Sequence, residues 1–157
     1  MKDWRWLRGE AYVIVQFCLF GLILFGPRQV GTLTKWPLHW PIQLLAAIFF
    51  LVGAGLVLLG LVQLGKNLSV LPHPKDKAQL VETGIFALVR HPIYGGLILL
   101  AFAWALFENS LLMLFYALVL TGFFELKSRR EERALRQKFA NYKAYQARVR
   151  KFIPFIY

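Results

Sequence analysis

Four apolar runs divide the chain. The first covers residues 10–26 and stops at Pro27. The second, 42–64, follows Pro41 and consists of apolar residues and Gly broken only by Gln43 and Gln63. The third and fourth, 93–107 and 110–126, are separated only by Glu108-Asn109. A bilayer core about 30 Å thick takes about 20 apolar residues as helix, and the second run satisfies this best. The last two runs, at 15 and 17 residues, give roughly 22 and 26 Å of helix, so they predict a short hairpin that is either shallow or compensated by local thinning. Gly53, Gly55 and Gly60 in the second run suit close helix packing. Beyond Leu126, apolar residues recur at Leu135, Phe139, Tyr142, Tyr145 and Val149. These spacings of four, three, three and four predict one basic amphipathic helix. The expected fold is an all-α integral membrane protein, a single domain over 1–157 with four transmembrane helices (10–26, 42–64, 93–107, 110–126) and a basic amphipathic C-terminal helix.

Composition agrees: 58% of residues are hydrophobic and 17% charged, outside the range of an ordinary soluble domain. The net charge of +11 does not point to nucleic acid. Ten of the nineteen Lys and Arg lie between Lys127 and Lys151, directly after the last apolar run, and no nucleic-acid-binding motif accompanies them. Orientation and contact with anionic lipid explain them better. With four spans, one side collects 17 basic residues and the other 2, which puts both termini and the 65–92 loop in the cytoplasm. Trp4, Trp6, Trp36 and Trp40 suit the membrane interfaces, and no small-residue cleavage site follows the first run, so that helix is expected to be retained. One cysteine, Cys18, excludes an intrachain disulfide. His39, His73 and His91 lack the spacing of metal ligands, and no metal site is expected.

Counting outward from the turn at 108–109 brings Tyr94 opposite Phe124, with Glu125 near Ile93, Lys127 and Ser128 near His91 and Arg90, and Glu131-Glu132 about one turn further out. The hairpin thus gathers Arg90, His91, Tyr94, Glu125, Arg129, Arg130, Glu131 and Glu132 at one membrane face, where the 66–90 loop and the aromatic C-terminal segment can cover them. Pro92 suits the first position of the third helix, with His91 as its cap. The N–H groups of Ile93, Tyr94 and Gly95 then form an anion site, Gly95-Gly96 leave the approach open, and Arg90 adds a positive charge for a carboxylate. Glu131 or Glu132 can accept from a ribose or hold an ammonium. Taken singly, each residue has a plainer reading: Arg90 as a membrane anchor, Tyr94 as an interface aromatic, Glu131-Glu132 as a solvated helix face, Glu125 as a partner of Arg90.

The set Arg90-His91-Pro92-Ile93-Tyr94, a hydrophobic hairpin, Glu131-Glu132, Phe139-Ala140-Asn141-Tyr142-Lys143-Ala144-Tyr145 and Phe152-Ile153-Pro154-Phe155 resembles the isoprenylcysteine carboxyl methyltransferase and phospholipid methyltransferase families. The likeness extends over about residues 60–157. It implies an integral membrane methyltransferase using S-adenosylmethionine and a lipophilic methyl acceptor that arrives from the bilayer, expected to react at a carboxylate. By position, His91 and Tyr94 would contact the cofactor with Glu131 or Glu132 at its polar end, Arg129 or Arg130 would orient the acceptor, and Arg90 joins the cofactor-binding set through its charge. Glu125 or Glu131 would be the base for an amine acceptor. The chain departs from the pattern at Phe139-Ala140, where Phe-Gly is usual. Two alternatives stay open: a sterol-reductase-like oxidoreductase using NADPH, which carries a similar Arg-His-Pro-x-Tyr pattern, and a non-enzymatic membrane module with a lipid-binding basic tail. Oligomeric state is not legible.

Overall fold

The computed structural model describes residues 4–29, 39–67, 69 and 79–153, with side chains in the first helix from Gly9 onward. The side chains of Trp4 and Trp6, the segment with Trp36, Pro72-His73-Pro74 and residues 154–157 lie outside the described residues. Among the described residues, five α-helices follow one another: α1 (Trp4–Phe25), α2 (Trp40–Leu64), α3 (Pro92–Phe107), α4 (Leu111–Lys138) and α5 (Tyr142–Arg148). Short 3-10 turns cover Gly65–Asn67 and Gly84–Ala87, and a parallel bridge pairs Val89 with Arg150. Two helices, Trp40–Asn67 and Leu111–Lys138, are long and apolar enough to cross a membrane; Gly9–Phe25 and Pro92–Phe107 are shorter apolar helices. Phe17 and Phe25 on α1, Leu51 and Val62 on α2, and Phe115 and Leu118 on α4 are all exposed. Apolar surface of that extent is a lipid-facing belt, and the protein is a membrane protein.

The glycines set how closely α2 and α3 approach. A Cβ on Gly96 would stand 2.6 Å from the Gly53 carbonyl oxygen, and one on Gly53 would stand 2.8 Å from that of Gly96. One end of the same contact has Gly60 against Ile93 and Pro92. Gly55 faces open space. Gly95-Gly96 therefore do not keep a ligand approach open, as the sequence suggested. Gly96 receives the backbone of α2, and Gly95 receives the Phe152 carbonyl, 3.2 Å from where its Cβ would stand.

The hairpin turn depends on Asn109 at φ 52°, a left-handed conformation that Asn tolerates better than most residues. Ser110 caps α4, its Oγ accepting from the Met113 N–H at 3.2 Å, while its hydroxyl donates to the Arg28 carbonyl. With the Arg28–Glu108 ion pair at 3.1 Å, this fastens the end of α1 to the turn. Within the bundle, Tyr94 and Phe124 stack with ring centroids 4.7 Å apart, the pairing expected from counting around the turn.

The C-terminal region differs from the single amphipathic helix expected. α4 stops at Lys138, Phe139 turns extended (φ −116°, ψ 116°), and α5 starts at Tyr142. Tyr142, Tyr145 and Val149 still bury together with Leu135, Phe139 and Leu80. The helical spacing was real, but its apolar side folds back on itself instead of running along one rod. Ala140 has no positive φ, so this turn does not require glycine there.

Packing at the α2–α3 contact yields a first prediction. Gly96→Ala has to push two backbones apart and should cost about 1–3 kcal/mol, lowering the thermal midpoint in detergent. Gly55→Ala, in open space, should change stability by no more than about 0.5–1 kcal/mol, toward greater stability through helix propensity.

Candidate active site at the feet of the hairpin

Before Pro92 the chain is not helical, with Val89 bridged to Arg150 and the N–H groups of Arg90 and His91 donating to the carbonyls of Arg150 (2.8 Å) and Lys151 (3.0 Å). This backbone pairing fixes where the two polar side chains point. The Arg90 Nε donates to Glu132 Oε1 at 2.9 Å, and its Nη1 donates to the Gln146 carbonyl at 3.2 Å and to that of Val149. His91 Nε2 lies 3.1 Å from the same Glu132 oxygen. An ionised carboxylate only accepts, so Nε2 is the nitrogen that carries hydrogen. Gln146 donates to the other Glu132 oxygen at 2.8 Å. Glu132 is thus a buried hub joining the feet of α3 and α4 and the α5 segment.

Counting residues as helix on both sides put Lys127 and Ser128 beside Arg90 and His91. The partner is Glu132 instead. Arg90 and His91 precede the helix, so counting them at the helical rise of about 1.5 Å per residue understates how far they carry the chain along α4. Arg90 meets Glu132 and not Glu125. Glu125 takes Lys151 Nζ at 2.8 and 2.9 Å and Arg129 Nε at 2.6 Å.

Beside this hub lies a cavity of about 270 Å³, lined by Arg90, His91, Tyr94, Lys127 and Glu131 and by the apolar and aromatic side chains of Leu61, Leu97, Phe86, Phe139, Tyr142 and Tyr145 among others. Tyr94 donates to Glu131 Oε2 at 2.9 Å. Its ring stacks on His91 (centroids 5.5 Å, 7° between planes) and on Phe124. Among the predicted site residues, Arg90, His91, Tyr94 and Glu131 therefore share the lining. Glu132 stands behind it, and Glu125, Arg129 and Arg130 lie outside it, the Arg130 guanidinium 5.3 Å from the Tyr12 ring. The anion site at the start of α3 is smaller than expected, because the Gly95 N–H donates to the His91 carbonyl at 3.0 Å. Ile93 and Tyr94 keep N–H groups without a backbone acceptor among the described residues.

Three lining residues were not assigned to the site from sequence. Lys127 is fully buried, donates to Gln16 of α1 and sits 5.3 Å from the Tyr94 ring centroid. A polar Gln16 inside an apolar run was the available signal, since such a residue in a membrane helix normally faces a partner or a cavity. Tyr142 and Tyr145 had been read as part of an apolar stripe and of the family motif, without a role in the site.

The roof over the cavity is pinned at several points. Gln63 accepts from the Ile85 N–H at 2.8 Å, Asn67 from the Gln79 N–H at 3.0 Å, and Tyr145 donates to the Phe86 carbonyl at 2.6 Å. Glu82 holds Arg148 (2.9 Å) and Asn141 (2.8 Å). Gly84, at φ +60°, lies where a Cβ would collide with the Gln63 side chain. Burial and, next, the Glu132 charge push the Tyr142 hydroxyl above its ordinary value; burial raises Tyr145 as well, against the opposing charge of Arg90. Both remain neutral.

Glu132 lies on α4 beyond its apolar stretch. Burial alone would raise its carboxyl, but the hydrogen bond and charge of His91 and those of Arg90 prevail and hold it at about 2, below the ordinary 4.5. Because the folded-state value is the lower one, this stabilisation is complete above about pH 4.5 and is lost as pH falls toward 2. Glu132→Ala leaves Arg90 without its buried counter-charge and should cost about 3–5 kcal/mol near neutral pH. The gap between wild-type and Glu132→Gln thermal midpoints should narrow progressively from pH 5 downward.

A family model described as phospholipid methyltransferase matches residues 42–142. Two rice proteins (Oryza sativa subsp. indica and japonica), each named "Probable protein-S-isoprenylcysteine O-methyltransferase", are 29% identical to this chain over 122 residues, 75% of the chain and 64% of the rice protein. The protein-S-isoprenylcysteine O-methyltransferase of Schizosaccharomyces pombe is 35% identical over 116 residues, 69% of the chain and 48% of that protein. The matched region spans less than two thirds of the length of these relatives. It contains the hairpin, both of its feet and the glutamate hub, and the chain belongs to the phospholipid methyltransferase family.

Proposed function

We propose that the protein is a membrane methyltransferase that uses S-adenosylmethionine to methylate a lipid-like or prenylated acceptor at a carboxylate. The observation that carries this reading is the cavity at the hairpin feet, where Glu131 with Tyr94, the α3 N-terminus and the buried Lys127 converge beside aromatic and apolar walls. The donor set fits the cofactor. Glu131 suits its ammonium or ribose hydroxyls, the free N–H groups of Ile93 and Tyr94 suit its carboxylate, and Phe86, Phe139, Tyr142 and Tyr145 offer faces for its adenine. When bound, the cofactor supplies an electrophilic methyl group on a sulfonium.

This chain's own contribution is to orient and to exclude water. Orientation of two reactants supplies roughly 7–11 kcal/mol in the best cases. Lys127 is our choice for the group that orients the acceptor carboxylate, because it is the buried ammonium on the lining; Arg129 and Arg130 face elsewhere. A carboxylate acceptor is already ionised, so no base is needed. The relatives named as isoprenylcysteine O-methyltransferases support a prenylated acceptor. We also read α1 and α3 as membrane-crossing, giving four spans with the hairpin feet and both termini on the cytoplasmic side, as the 17-to-2 distribution of basic residues indicates.

Purified protein should bind S-adenosylhomocysteine by calorimetry and transfer tritiated methyl from S-adenosylmethionine to a prenylcysteine analogue. Glu131→Gln and Tyr94→Phe should each weaken binding about tenfold or more, as expected for loss of a charge-assisted hydrogen bond. Absence of binding by folded protein contradicts the reading. Lys127→Met should leave S-adenosylhomocysteine affinity within about threefold while lowering kcat/KM for the acceptor about a hundredfold, the scale of a buried charge-assisted contact. An equal loss in both would assign Lys127 to the cofactor instead.

A further inference from the structure

On the other side of the Arg90–Glu132 pair lies a second concavity, of about 540 Å³, between α4 and the α5 segment. Arg129, Arg133 and Arg136, spaced along one side of α4, meet Arg150 from the chain after α5. Six cations line it against two carboxylates, Glu125 and Glu132. Both carboxylates are already engaged, Glu125 by Lys151 and Arg129, Glu132 by Arg90, His91 and Gln146. Arg133 and Arg150 are exposed and have no carboxylate partner among the described residues. The cleft is therefore a concave surplus of positive charge, not a self-neutralised surface.

Its depth relative to the membrane identifies the occupant. Phe115, Leu118 and Leu126 form the exposed apolar face of α4, and Arg129 follows Leu126 by three residues, or about 5 Å of helix. Arg136 lies about 10 Å further along. The headgroup layer extends roughly 5–8 Å beyond the hydrocarbon on each side, so the arginines begin within it. Guanidinium groups bind phosphate with paired hydrogen bonds. We propose that this cleft binds the phosphate headgroup of an anionic glycerophospholipid in the leaflet next to the hairpin feet. Arg90 lines both this cleft and the cavity beside Tyr94, so the bound lipid would brace the wall between them. The proposal does not depend on the methyltransferase reading.

Native mass spectrometry of the full chain, purified in detergent and offered equal phosphatidylglycerol and phosphatidylcholine, tests it. Wild type should retain phosphatidylglycerol in preference by about tenfold or more. Arg133→Gln/Arg150→Gln should reduce that preference to within about twofold with an unchanged thermal midpoint, while Lys138→Gln/Lys143→Gln, which removes the same charge outside the cleft, should keep it. Four results would overturn the proposal: equal retention of the two lipids by wild type, a preserved preference in the arginine double variant, an equal loss in both double variants, which means diffuse surface charge, or displacement of the lipid by millimolar inorganic phosphate, which means a soluble-anion site.

Discussion

A carboxylate removed from water is tolerated only where cations and donors replace its hydration. Glu132 meets that condition with Arg90, His91 and Gln146, drawn from two separate stretches of the chain. Each of those stretches has its own reason to be nearby: the hairpin brings α3 beside α4, and the Val89–Arg150 bridge brings the segment after α5 beside the foot of α3. The buried charge makes these contacts interdependent, since withdrawal of any one partner leaves the others under-compensated. Arg90, read from sequence as a hand for a ligand carboxylate, is chiefly a strut. That frees the neighbouring Glu131, and Tyr94 which it holds, to face the cavity.

An aromatic stack runs through the same arrangement. Aromatic rings stack from His91 through Tyr94 to Phe124, and the Phe20 ring of α1 continues the contact. α1 thus supplies more than a membrane anchor: Gln16 holds Lys127 at the cavity wall. α2 adds Leu61 and Leu64 to the lining and, through Gln63, positions the roof segment at Ile85. Glycine contacts permit this by letting α2 lie against α3 at backbone distance.

Much of this was legible in the chain. Apolar run lengths gave α2 and α3 to within two residues, since lipid and core both select for them, while α1 begins six residues earlier and α4 runs twelve residues further than its apolar run. The pairing of Tyr94 with Phe124 followed from counting around a two-residue turn. The register of Glu132 did not, because the count carried helical rise past Pro92, where the chain is no longer helical. Periodicity grouped Leu135, Phe139, Tyr142, Tyr145 and Val149 correctly but could not distinguish one long helix from two short pieces folded together. Lys127 was hidden among nine other basic residues in the same stretch; only its burial against Gln16 separates it from the solvated ones. Gly95 and Gly96 look identical in sequence whether they admit a ligand or a neighbouring backbone.

The central claim is that one buried carboxylate ties the two hairpin feet into a single unit. A double-mutant cycle between Arg90→Met and Glu132→Gln, read as shifts in thermal midpoint near neutral pH, measures it most directly. The account predicts strong coupling: each single variant leaves a buried polar partner uncompensated, so the double variant should be far less destabilised than the sum of the two singles, by an interaction of about 2–3 kcal/mol. Additive shifts would mean that the two residues act independently, which contradicts the account.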